Sequence, residues 1–407
     1  MTELLHQPYP FEATRERGLA RLNAFLPHAG KDYASGRNYD RGSFKTNSVS
    51  ALSPFLSRRM ITEKEVVDKV LEHHSLKESE SYVKEVCWRT YWKGWLEMRP
   101  EIWRYYLEGV KVQHLRLEED LRLQDLYSKA ITGSTPLTAF NHWVKELTQF
   151  GYLHNHARMW VAGIWIYELG LPWELGASFF ASHLLDGDPA SNTLSWRWVA
   201  GLHTQGKRYV PGAGNIHTFT EGRFGSSEAL SPAETGPSFE ILPDPKLLSF
   251  PPRPQQSDIL VLCMEDLGLD LPKAWCEGLK KVVIVSSLDS DGPLGWEPSE
   301  KVLHFNHQAL EDAATRWGRV AEVERIEGAD LETWWKQIPQ DRVAMPRTPV
   351  GPSCDYLNGL WSETGARPQM WVRDWDRNLW PHSKAGFFKF WKQVNLFLAG
   401  ERVDIPS

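Results

Sequence analysis

Residues 184–198 read LLDGDPASNTLSWRW. The DGD step followed by PASN is a tight polar turn. It projects two carboxylates, Asp186 and Asp188, and an amide, Asn192, with Trp196 and Trp198 close behind. Acidic turns can hold calcium, but the twelve-residue calcium loop needs further oxygen ligands and a closing glutamate, which this spacing lacks.

Three upstream segments share the same mixture of polar and aromatic groups. In GYLHNHARMWVAGIW (151–165), Asn155, Arg158 and Met159 lie at i, i+3 and i+4, so a helix sets an amide, a cation and a thioether on one side. His154 and His156 stand two apart, which is not metal-ligand spacing on a helix, and read as hydrogen-bonding residues. In YVKEVCWRTYWKGWL (82–96), Glu85, Trp88 and Arg89 share a face, and Trp88, Trp92 and Trp95 follow helical spacing. That indole stripe would also suit a plain core. VSALSPFL (49–56) is a serine-bearing turn running into a helix, where hydroxyls and free N–H groups suit an anionic diphosphate or an ordinary cap.

Around these segments helical periodicity predominates up to residue 225. Spans 15–28, 79–97, 136–150, 152–169 and 173–185 read as helices with Gly/Pro punctuation. Thr62 before EKEVV has the capping-box partner Glu65. The first 20 residues are polar and expected to be loosely attached, and 36–50 reads as a Gly/Ser/Asn-rich loop. Residues 226–257 are proline-rich and read as an extended linker. Beyond it, DILVLCM (258–264) and KVVIVSS (281–287) read as buried strands with helices at 308–317 and 330–336, an α/β layer with a partly parallel sheet. A last amphipathic helix is expected over 383–399. The predicted fold class is therefore multidomain, α and α/β: an all-helical domain over 11–225, the 226–257 linker, and a smaller, Rossmann-like α/β domain over 258–407, without a GxGxxG or GxxxxGK[ST] phosphate loop.

Composition bounds the rest. The 407 residues are 42% apolar and 24% charged, as in ordinary globular proteins. No secretory segment or membrane span is read, and Cys87, Cys263, Cys276 and Cys354 are scattered without a CxxC pair. A cytoplasmic protein with reduced thiols and no metal is expected. The net charge of −6 does not advertise nucleic acid. The anomaly is 20 tryptophans: most suit an aromatic core, and a few suit an electron relay beside a redox cofactor.

In order and spacing, LSPFL, EVCWR, GYLHNHARM and LLDGDPASN together resemble the flavin-binding half of the DNA photolyase/cryptochrome family, over about half the chain from Gly18 to Phe224. The resemblance implies FAD as cofactor. Tyr33, Ser50, Leu52 and Ser53 would hold its phosphates and ribityl chain, helped by Tyr82 and Arg89. Arg158 and Asp186 would form an ion pair near the isoalloxazine, Asp188 would contact the adenine side, and Asn192 would face flavin N5. For DNA, the resemblance implies a pocket of Glu85, Trp88, Asn155, Met159 and Trp198 for a flipped-out cyclobutane dimer, with His156 where an arginine usually supports DNA. Light-driven repair is the implied activity, with a cryptochrome-like photoreceptor, and a protein partner, as the alternative.

Trp173 and Trp196 match two members of the family's tryptophan chain. The third should lie near residue 120, where RLEEDLRLQD has none, so Trp160, Trp165 or Tyr127 are the candidate exits. The phrase ILVLCMEDLGLDLPKA (259–274) resembles the opening of the family's antenna domain, which normally comes first, and suggests a circular permutation; any second chromophore is unknown. Arg58, Arg59, Lys64, Lys207, Arg208 and Arg223 are candidates for a phosphate-contacting rim.

Overall fold

The structure, a computed structural model, describes residues 11–42, 48–204, 207–224, 230–231, 236–238, 241–252, 257–268, 277–286 and 297–401. Cys276, part of the 36–50 loop, much of the linker and residues 269–274 of the antenna-like phrase lie outside these.

The helical part comprises α1 (Arg15–Phe25), α2 (Lys31–Gly36), α3 (Ser53–Ser57), α4 (Glu63–His73), α5 (Leu76–Glu97), α6 (Pro100–Glu119), α7 (Leu121–Ile131), α8 (Thr138–Phe150), α9 (Asn155–Gly163), α10 (Trp173–His183), α11 (Pro189–Val199) and α12 (Ala213–Phe219). Local chemistry sets their ends. Thr62 and Ser75 each close a capping box, with Glu65 and Glu78, at the starts of α4 and α5. Gly151 ends α8 with φ 70°, and a Cβ there would meet Leu185 Cγ at 2.7 Å. Only glycine allows both the left-handed backbone and the close return of the acidic turn, whose Leu185 N–H donates to the Gly151 carbonyl at 2.9 Å.

The segment predicted as one helix over 152–169 begins as α9 and changes at Ile164–Glu168 into a π-helical turn. Helices α6 and α7 were not read from the sequence. Their apolar positions sit on narrow stripes amid charge, and burial of Ile102, Trp103, Tyr106 and Val110 shows which stripe the core takes. The chain start is not loose from residue 11 onward. Phe11 and Ala13 are buried, and Arg15 pairs with Glu65 at 2.5 Å.

The second part is a five-stranded, fully parallel sheet of β1 (Ile259–Leu262), β2 (Lys281–Val285), β3 (Glu322–Ile326), β4 (Val343–Pro346) and β5 (Gln369–Trp371), in the order β3-β2-β1-β4-β5. Helices α13 (Glu300–Trp317), α14 (Leu331–Gln337) and α15 (Pro352–Thr364) cover it. Alternation sorts the two faces. Leu260, Leu262, Val282 and Ile284 join the buried residues of α13 and the helical part in one core, while Ile259, Val261, Val283 and Val285 pack with Trp335, Leu357 and Trp361 in another.

The last helices, α16 (Asp374–Leu379) and α17 (Phe387–Leu398), return to pack on α5. Trp375, Leu379, Phe390 and Trp391 belong to the helical core. A buried ionic cluster also joins the parts. Arg59 contacts Asp266 at 3.1 Å and Asp376 at 2.6 Å, and Arg373 contacts Asp266 at 2.6 Å, all with side chains no more than 7% exposed. Arg59 itself lies at φ 48°, a strained backbone held by what surrounds it. No helix among the described residues is long and apolar enough to cross a membrane.

Candidate functional site

Helices α5, α9 and α11 bring the acidic turn and the upstream motifs together. Arg158 on α9 meets Asp186 through both nitrogens, Nη1 to Oδ1 at 3.1 Å and Nη2 to Oδ2 at 2.9 Å. Arg158 Nε also donates to the Leu153 carbonyl, and its guanidinium lies 5.2 Å from the centre of the Tyr152 ring. Burial works against ionisation of Asp186, yet the Arg158 charge and bonds, with Ser53 and Arg89, hold its carboxyl below the usual range. Two parallel charge-assisted bonds fix this turn to α9.

Asp188 caps α11, accepting from the Ser191 N–H at 2.7 Å. The same carboxylate attracts Lys93 at 3.3 Å and Arg89 at 3.4 Å, and these cations overcome its burial to hold its carboxyl well below the usual range. Buried Arg58 feels Glu265, Asp188, Asp186 and Arg89 at once. Among these side chains Arg58, Arg89, Lys93 and Arg158 face Asp186, Asp188 and Glu265, so positive charge is in excess. Arg89 Nη1 is buried and makes no hydrogen bond within the described residues. A donor left open inside an electropositive recess fits an anionic group such as a diphosphate.

The 49–56 turn is strained, with Ala51 at φ 49°. Arg21 Nε donates to the Ser50 carbonyl at 2.6 Å. The helix that follows, α3, has only five residues and Leu52 gives it no side-chain cap. Its single turn contributes little dipole, so the expected anion preference falls to the cations rather than to the helix start. Behind the turn Tyr33, Tyr82 and Phe25 form a buried aromatic cluster, with ring centres 4.8–6.1 Å apart. Asn192 Nδ2 donates to the Ala177 carbonyl at 2.8 Å, which orients the amide.

Beside this lies a second group. Asn155 Nδ2 donates to Glu85 Oε1 at 3.1 Å, and Arg37 reaches Glu85 Oε2 at 3.3 Å. Partial burial, with the side chain 33% exposed, raises the Glu85 carboxyl above its ordinary pKa, with Arg37 opposing. Trp198 stacks with Tyr209 at 5.8 Å. Trp88 stacks on Phe387 of α17, ring centres 3.7 Å apart and planes 10° apart.

Residues 82–223 match the family model for the FAD binding domain of DNA photolyase. This helical region is similar to the photolyase/cryptochrome family. The photolyase-type region is 28% identical over 198 residues to the deoxyribodipyrimidine photo-lyase of Buchnera aphidicola subsp. Baizongia pistaciae, covering 46% of this chain and 39% of that one. It is 30% identical over 190 residues to that of Streptomyces griseus, covering 46% and 39%. The cryptochrome DASH of Danio rerio is 26% identical over 200 residues, covering 48% and 37%. The chain thus spans less than half the length of these relatives. An FAD-binding domain is the cofactor class the match establishes.

Within the photolyase-type region the structure brings the expected cofactor residues Arg89, Arg158, Asp186 and Asp188 into one charged cluster, with Ser53 bonded to Asp186. It also adds two residues. Lys93, one turn beyond Arg89 on α5 and 2% exposed, shares its carboxylate partner; the i, i+4 spacing was the available signal. Phe387 carries no sequence signal at all, because its contact with Trp88 spans the whole fold.

The basic rim needs correction. Arg58 and Arg59 are 8% and 3% exposed and turn inward to the α/β part, where Arg58 Nε donates to Asn306 Oδ1 at 3.1 Å near the charge of Glu265, and Asp266 and Asp376 pair with Arg59. Arg223 pairs with Asp40 at 2.8 Å and Lys64 with Asp68, whereas Lys207 and Arg208 remain exposed. His156 stacks on Trp160 at 4.1 Å and contacts the Asn38 carbonyl at 2.8 Å; burial lowers its pKa, which disfavours the cation. His154 is buried, its pKa pushed down to about 4 chiefly by that burial, and its Nδ1 accepts from the His156 N–H as the cap of α9.

Proposed function

We propose that this chain is a flavoprotein that uses light to split cyclobutane pyrimidine dimers in DNA. The observation that carries this reading is the exposure of five side chains. Glu85, Trp88, Asn155, Met159 and Trp198 all keep contact with solvent, while the neighbouring Trp92, Trp160 and Trp196 are buried. A carboxylate hydrogen-bonded to an amide offers acceptors and donors to base edges, and two indoles and a thioether offer apolar surface to a flipped-out dimer.

Arg89 and Lys93 would hold the FAD phosphates and balance their charge, beside Ser50, Leu52, Ser53, Tyr33 and Tyr82, and Arg158, in its ion pair with Asp186, would stand near the isoalloxazine. Asp186 positions Arg158, and Asp188 positions Arg89 and Lys93. Asn192, a neutral amide able to donate and to accept, would serve flavin N5. When bound, reduced FAD supplies the photoexcited electron that opens the dimer; the chain supplies placement, polarity and exclusion of water. The α/β part we read as an antenna-type unit set after the helical domain by circular permutation. Its strand order, that of doubly wound sheets, supports this. Cys87, Cys263 and Cys354, free among the described residues, suit a cytoplasmic setting.

The test is direct. Purified protein with reduced flavin is illuminated with a dimer-containing oligonucleotide, and recovery of thymine absorbance is expected. No recovery would move the reading to a blue-light photoreceptor. Phe387 favours that second reading, since its stacking on Trp88 puts the C-terminal segment on the wall that a dimer would use.

A further inference from the structure

The strand order β3-β2-β1-β4-β5 turns about β1, which has β2 on one side and β4 on the other. In doubly wound sheets the crevice outside the carboxyl ends of the strands at such a reversal receives the ligand. The start of the helix that follows offers free N–H groups to an anion. Here that crevice lies outside β1 and β4. The turn after β4 carries Arg347 and Val350 and leads through Gly351 into α15, which has no side-chain cap.

A carboxylate of the chain itself occupies this anion site. Glu97, the last residue of α5, has a side chain 2% exposed. Its Oε2 accepts from Arg347 Nη2 at 2.6 Å and Nε at 3.2 Å, and its Oε1 accepts from the Val350 N–H at 2.8 Å. An acid at the carboxyl end of a helix opposes the helix dipole, so α5 gives Glu97 no local reason to stand there. The guanidinium and the N–H of the α/β part supply one. The same turn meets two further helices. Trp103 Nε1 of α6 donates to Asp355 Oδ2 at 2.8 Å, and Gly351 lies so close to Pro189 that a Cβ there would fall 2.8 Å from its Cγ. Pro189 follows Asp188, whose carboxylate attracts Arg89 and Lys93.

We propose that the ligand crevice of the α/β part is a dock for Glu97 rather than for a second chromophore, and that the docked turn positions Pro189 and with it the acidic turn of the flavin site. This rests on the flavin reading above. Arg347 fixes Glu97, Glu97 fixes the Val350–Gly351 step, and Gly351 bears on Pro189. The α/β part keeps an antenna-type strand order and works as a clamp on the helical part. Glu97, Arg347 and Gly351 are positioning residues for the flavin turn.

The experiment compares variants of the whole chain by equilibrium dialysis against FAD. The parent is expected to hold a single flavin per chain even in excess FAD. Glu97→Ala and Arg347→Met are expected to weaken that retention about tenfold. Tyr356→Phe removes a bond internal to the α/β part, to the Gly328 carbonyl at 3.0 Å, and is expected to leave retention unchanged. Propionate, a free carboxylate, is expected to restore retention in Glu97→Ala and not in Arg347→Met. Arg347, with its side chain 30% exposed, is the variant that stands even if Glu97→Ala does not fold. A second flavin in the parent overturns the occupied crevice, and unchanged retention in Arg347→Met overturns the clamp. Retention lost as readily in Tyr356→Phe, or Glu97→Ala indifferent to propionate, overturns it too. Parent protein that takes up no flavin overturns the flavin reading, and the clamp with it.

Discussion

Two buried charge clusters in this molecule are built from the same residue types and do opposite things. At the junction of the helical and α/β parts, Asp266 is gripped by Arg59 and Arg373, and Arg59 also by Asp376, at 2.6–3.1 Å. At the candidate flavin site, Arg89 and Lys93 share one oxygen of Asp188 at 3.3–3.4 Å, and Arg89 Nη1 makes no hydrogen bond within the described residues. The first cluster holds its carboxylates in short, direct pairs and joins Arg59 to residues more than 200 positions away, with Arg59 Nε making no hydrogen bond within the described residues. The second has longer contacts and more cations than it has acceptors for, which suits an anionic group. Pairing geometry, more than the presence of charge, separates a structural lock from a binding site.

Breaking the lock should have the largest effect. Asp266→Ala takes a buried carboxylate from Arg373 and leaves Arg59 with Asp376, and is expected to cost about 3–5 kcal/mol, read as a lower urea midpoint. A much smaller loss would mean that the junction is not closed as described. At the open cluster, Arg89→Met leaves Asp188 with Lys93 and should instead spare most of the stability and weaken flavin retention by roughly 100-fold, or about 3 kcal/mol, measured by equilibrium dialysis against free FAD. Unchanged retention would remove the contrast.

Acid sharpens the comparison. Burial opposes ionisation of Asp266, but Arg373 and Arg59 hold its pKa down to about 2, against an ordinary 3.8. A depressed folded pKa gives stability that is present above the unfolded value and lost as pH falls towards 2. The contribution is roughly 2 kcal/mol. Asp376 works the other way, its pKa raised chiefly by burial, with Glu63 assisting and Arg59 only partly compensating. Asp266→Asn should therefore flatten the fall in urea midpoint between pH 4 and pH 2. Trp88→Ala is expected to weaken binding of a dimer-containing oligonucleotide by about 1–2 kcal/mol in a titration, with the flavin retained. Loss of flavin in that variant would show that α5 has been assigned to the wrong surface. Last, Lys64→Ala breaks an exposed pair with Asp68 and should change stability by less than about 0.5 kcal/mol, the baseline for a solvent-screened contact.

The sequence was most informative where function is written into short spacings. Glu85, Trp88 and Arg89 on one helix, and Asn155, Arg158 and Met159 on another, follow from 3.6 residues per turn, and the resemblance carried by the four motifs supplied the Arg158–Asp186 pairing that the structure contains. The capping box at Thr62 and the two strands beginning at 258 and 281 were readable for the same local reason. Helices α6 and α7 were missed because charged residues crowd their exposed faces. Strand β3, with Glu322, Glu324 and Arg325, reads as a polar segment, since at the edge of the sheet only its last residue is buried.

By itself the chain determined two classes of core, a helical one and an alternating α/β one, because periodicity is a property of neighbours in sequence. It also determined the flavin-type motif set. Which arginines face solvent was decided only in three dimensions. Arg58 and Arg59 read as a basic rim, yet they are buried because Asn306 arrives to accept from Arg58 and the carboxylates of Asp266 and Asp376 arrive to pair with Arg59. The meeting of Phe387 with Trp88 and of Trp165 with Trp196 across Gly176 has the same origin. Contacts between distant segments depend on how the elements pack, and no local pattern encodes that.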